Sequence, residues 1–107
     1  LLQGLSEGIA LGMKRQLNMN KVFDAISKGA AQSWQMDNRF KTMVQGQFDF
    51  GFAVDLMIKD LKIALKESGN ASLDLNIAKA VLKNYKKISE DDNGNLDTSS
   101  LIKNLKT

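Results

Sequence analysis

An all-α domain is predicted by three properties of the sequence. Apolar residues recur at helical spacing along most of its length, no convincing stretch alternates apolar and polar residues as a half-buried strand would, and none of its 107 residues is proline. A chain of this length is one domain, residues 1–107, and its 43% hydrophobic and 25% charged content is that of a globular protein rather than a disordered one.

Leu2, Leu5, Ile9 and Met13 define the first helix, with Gly4, Gly8 and Gly12 on a separate stripe. Glycines cost helix propensity, so the stripe predicts close approach of another backbone along it. Residues 18–20 form a polar break, and Asn20 is the expected N-cap of a short helix carrying Val22, Phe23 and Ile26 that ends at Gly29. The next helix starts near Ser33, carries Trp34, Met36, Phe40, Met43 and Val44, and stops at Gly46. A lone Trp at that spacing is expected in the core, with a binding-site aromatic as the alternative. Residues 45–52 read as a packed aromatic loop; a strand there has no obvious partner.

The helix that follows is unusual because it is apolar on two sides. Val54, Met57, Ile58, Leu61, Ala64 and Leu65 form one continuous stripe, while Phe52, Leu56 and Ile63 fall nearly opposite with Lys59 among them. A core-facing helix needs one apolar face, so the second calls for a cover from another domain, a subunit or a ligand. Ser68, Gly69 and Asn70 end this helix, and Ser72 is expected to cap the next, whose apolar face holds Ile77, Ala78, Val81, Leu82, Tyr85 and Ile88. Lys79, Lys83, Lys86 and Lys87 lie on its other side as a solvated face. Residues 89–97 are an acidic turn, and Thr98 or Ser99 can cap a last helix with Leu101, Ile102 and Leu105.

The chemistry available is narrow. Without cysteine or histidine there is no disulfide, thiolate or imidazole, and catalysis would have to use Lys, Asp, Glu or Tyr. A net charge of +3 with acids between the lysines argues against a nucleic-acid surface, and no segment is long enough to cross a bilayer. Asp91, Asn93, Gly94, Asn95 and Asp97 can be laid on a calcium loop, but Ser89 and Ser100 then occupy its first and twelfth positions, where acids are wanted, so a capping turn is the better reading and no metal is expected. Lys59 either pairs with Asp55 one turn earlier or stands partly desolvated for an anionic group. Leu1 lies inside an apolar helical pattern without a cap, so a preceding segment is expected. The opening is not that of a signal peptide.

From Leu5 onward the chain resembles the helical C-terminal domain of β-hydroxyacid dehydrogenases, the 3-hydroxyisobutyrate dehydrogenase-like group, whose 6-phosphogluconate dehydrogenase relatives share such a domain. The resemblance rests on Glu7, the Gly-Ala-Ala-x-Ser-Trp run at 29–34, Asn38, Met43, the Gly-x-Phe-x-x-Gly-Phe run at 46–52, Lys59-Asp60-Leu61, and the Gly94, Asp97, Leu101 pattern. It implies an oxidoreductase whose N-terminal Rossmann domain binds NAD or NADP and carries the catalytic lysine, both upstream of this chain. No catalytic residue is then expected here. Lys59 matches a cofactor-binding lysine, and Phe52 and Asp60 match positions bordering the substrate cleft. The implied partners are the Rossmann domain, a small hydroxy acid or its semialdehyde, and a second copy in a homodimer or tetramer, in the cytoplasm. Phe50 and Asp74 stand where the family often has proline. A stand-alone helical protein-interaction module is the alternative.

Overall fold

The computed structural model describes residues 1–105. Among them the regular structure is helical: α1 (Leu2–Lys14), α2 (Met19–Ile26), α3 (Trp34–Gln45), α4 (Val54–Asn70) and α5 (Asn76–Ile88), then a π-helical turn (Ser89–Asn93) and a 3-10 helix (Thr98–Asn104). The chain divides into two units, residues 1–48 with 99–105, and residues 49–98.

In the first unit α1 packs on α2 and α3. Leu2, Ile9, Met36, Phe40 and Met43 supply its core, joined by Phe48, Leu101 and Ile102, and the Phe23 and Phe40 rings lie 5.2 Å apart. Ser33 caps α3 by accepting from the Met36 amide at 3.0 Å, where the sequence places that helix start. Asn18, not Asn20, caps α2, accepting from the Lys21 amide at 3.2 Å. The helix therefore begins a residue pair earlier, and it ends at Ile26 before Gly29 is reached.

The glycine stripe is open within its unit. Among the described residues no backbone of this chain packs on it: a Cβ on Gly4 or Gly8 would meet nothing within 4 Å, and one on Gly12 would meet the Met19 thioether at 3.0 Å. Gly4 and Gly8 instead line an open apolar groove of about 360 Å³ with Ile9, Val22, Ile26 and Phe40. Trp34 is also a correction, since it is 61% exposed with the Arg39 guanidinium 4.9 Å from its ring. At 100° per residue Trp34 lies about 160° around α3 from Met36, on the side away from the core.

In the second unit α4 and α5 pack together, burying Val54 and Ile58 against a face made by Leu82, Tyr85 and Ile88. Ala64 and Ile77 are exposed, because both lie at the edge of their stripes. Ser72 does not cap α5. It adopts φ 55° after α4, with Leu73 N–H donating to the Ser68 carbonyl at 2.8 Å and Ser72 N–H to that of Gly69 at 3.1 Å. This is a Schellman closure in which Ser72 takes the left-handed position that glycine usually fills, as Gly46 does after α3. Lys79 on α5 pairs with Asp74 in the turn.

The Tyr85 hydroxyl is buried and donates to the Thr98 carbonyl at 3.1 Å. Burial raises this phenol above its ordinary range, the hydrogen bond to Thr98 counters part of the rise, and the Asp97 carboxylate adds to it. A folded-state pKa above the unfolded one, near 10, gives stability that is complete below that pH and lost as pH rises past it. Alkaline unfolding should therefore show a fall in stability above about pH 10 that is smaller in Tyr85→Phe. At neutral pH the same variant should lose about 1–2 kcal/mol by orphaning the Thr98 carbonyl.

Candidate functional site

The candidate site is the start of α4. Gly51 takes φ 76°, turning the chain toward the helix. The next four residues are then tied to residues 94–98. Phe52 N–H donates to Asp97 Oδ1 at 2.9 Å, and Thr98 N–H donates to the Phe52 carbonyl at 2.9 Å. Ala53 forms an isolated antiparallel bridge with Asp97, so the 45–52 loop leads into a pairing whose partner lies in the distant 94–98 segment. Val54 N–H donates to the Leu96 carbonyl at 2.8 Å and Asp55 N–H to that of Gly94 at 2.9 Å.

These bonds use the amides that a helix start would otherwise offer to an anion. Positive charge on this helix comes instead from Lys59, about one and a half turns along. Asp55 does not pair with it. The Asp55 carboxylate accepts from Ser89 Oγ at 2.6 Å and lies over Gly94, where a Cβ would come within 2.3 Å of Oδ2. Gly94→Ala should therefore push the exposed Asp55 carboxylate aside and break its bond to Ser89 Oγ, a loss of about 0.5–1.5 kcal/mol read as a lower unfolding midpoint.

With Asp55 turned away, Lys59 is exposed and makes no hydrogen bond or ion pair among the described residues. On α4 it lies at helical spacing between two exposed apolar side chains, Leu56 (45%) and Ile63 (61%), while Phe52 (43% exposed) precedes the helix, which begins at Val54 rather than at Phe52. Asp60, also exposed, borders the strip of Leu56 and Ile63 at helical spacing. The second apolar face is thus uncovered within its unit, with Lys59 and Asp60 on that side of α4 and Phe52 in the segment just before the helix. It can hold an apolar body and contact an anionic or polar group through Lys59; it holds no nucleophile paired with a base. Among the described residues no group of three acidic, His or Cys side chains can hold a metal, and Asp97 of the 89–97 turn is buried on the Phe52 amide. The glycine-lined groove of the first unit carries no ionisable side chain, so it offers shape without chemistry.

The family described as NAD-binding of NADP-dependent 3-hydroxyisobutyrate dehydrogenase matches residues 1–105. The chain belongs to that family. It is 49% identical over 105 residues to an uncharacterised oxidoreductase of Shewanella frigidimarina, covering 98% of this chain and 36% of that protein. It is 28% identical to an L-threonate dehydrogenase of Cupriavidus necator, covering 92% and 33%. The crystal structure of a 3-hydroxyisobutyrate dehydrogenase from Salmonella typhimurium superposes with a TM-score of 0.86 at 25% identity, over 95% of this chain and 36% of that one. The chain thus spans about a third of the length of the curated relatives it matches. Its all-α fold is that of this part of the family. No helix of the described residues is long and apolar enough to cross a membrane.

Proposed function

We propose that this chain is the C-terminal helical domain of an NAD(P)-dependent oxidoreductase acting on a small 3-hydroxy acid or its semialdehyde. The observation that carries the reading is the α4 face, where a lysine without an internal partner stands in an apolar strip that its own unit leaves uncovered. The names of its relatives, L-threonate dehydrogenase and 3-hydroxyisobutyrate dehydrogenase, point to small hydroxy acids.

In this reading the strip is one wall of a cleft whose other wall is an N-terminal Rossmann domain. Bound NAD or NADP supplies the hydride acceptor. Lys59 binds an anionic or polar group of the cofactor, Phe52 excludes water beside the reacting carbon, and Asp60 borders the substrate. Proton transfer falls to a lysine of the N-terminal part. A homodimer or tetramer and a cytoplasmic location belong to the same proposal. Full-length protein should oxidise small 3-hydroxy acids with NAD⁺ or NADP⁺, whereas residues 1–107 alone should bind either cofactor weakly or not at all in calorimetric titration. Tight binding by the isolated chain would overturn the assignment of the cofactor mainly to the N-terminal domain.

A further inference from the structure

We infer that Asp97 is a positioning residue for Phe52, holding its ring at the entrance of the α4 face. The inference rests on the reading of that face as the cleft wall.

Asp97 is 2% exposed, although a carboxylate is almost never buried unless its oxygens are satisfied. Its Oδ1 takes the Phe52 N–H at 2.9 Å, while the next residue, Thr98, gives its own N–H to the Phe52 carbonyl at 2.9 Å. Both backbone polar groups of Phe52 are therefore held by two consecutive residues. The Tyr85 hydroxyl fixes the Thr98 carbonyl from the other side at 3.1 Å. This clamp is built from buried groups, yet the side chain it presents is exposed. Phe52 remains 43% exposed although buried polar groups fix its backbone. Gly51, with φ 76°, immediately precedes it and would otherwise let the loop swing. A clamp of this kind makes sense for a side chain that has to stand in one direction in front of a ligand.

The test compares Asp97→Ala, Asp97→Asn, Phe52→Ala and the Phe52→Ala/Asp97→Ala double variant in the full-length enzyme, by steady-state kinetics and thermal melting. Asp97→Ala is expected to lower kcat/KM about ten- to a hundredfold, the scale of a misplaced binding group. Asp97→Asn should recover most of this, because the amide oxygen still accepts from Phe52 N–H. In the Phe52→Ala background Asp97→Ala should have no further effect on kcat/KM. A lower melting temperature with unchanged kcat/KM in Asp97→Ala would overturn the inference and leave the cleft reading standing, as would losses that multiply in the double variant. If Phe52→Ala itself leaves kcat/KM unchanged, the cleft reading falls as well. Should Asp97→Ala not fold, Asp97→Asn carries the same cycle: a small loss absent in the Phe52→Ala background supports the inference, and a loss that persists there overturns it.

Discussion

Lys59→Ala in the full-length enzyme is expected to lower kcat/KM for the cofactor about ten- to a hundredfold, the effect of losing one charge-assisted contact of about 1.5–3 kcal/mol. Stability should change by less than about 0.5 kcal/mol, because the ammonium is exposed and pairs with nothing among the described residues. Initial rates against cofactor concentration, together with a melting curve, separate the two effects. The wild-type advantage should also shrink as salt is raised, since an exposed ammonium is screened. Unchanged kinetics would remove the proposed role. The separation is possible because Asp55 is occupied by Ser89 and Gly94, so removing Lys59 breaks no internal ion pair.

Phe40→Ala is expected to cost about 3–5 kcal/mol, a large part of the roughly 5–15 kcal/mol that holds a domain of ordinary stability. Phe40 is 2% exposed, stacks at a tilt against Phe23 at 5.2 Å, and lines the glycine-bordered groove. Its truncation opens a cavity that α1, α2 and α3 cannot close without moving against one another. Denaturant unfolding should show the loss as a lower midpoint. A change below about 1 kcal/mol would mean that the groove collapses to fill the space.

How well the sequence could be read depended on whether a residue's role is local. Ser33 and Gly46 were readable because a cap and a left-handed stop act within one turn of the chain. Trp34 was open to correct reading too, since its angular distance from Met36 already put it off the core face; its company of apolar neighbours suggested otherwise. Asn18 and Asn20 were both chemically able to cap α2, and only the helix phase chose between them. Ser72 took a position that glycine normally holds, which no propensity rule favours.

The all-α class, the main helices, the family and a second apolar side of α4 with Leu56, Lys59 and Ile63 were legible in the chain alone, because they follow from periodicity and from motifs contiguous in the sequence. The tertiary structure decided that Asp55 turns to Ser89 rather than Lys59, and that Asp97 reaches back across 45 residues to hold Phe52. It also showed that, within its own unit, the glycine stripe borders a groove. Each of these depends on which distant segments meet, and helical spacing carries no information about partners beyond a helix's own turns.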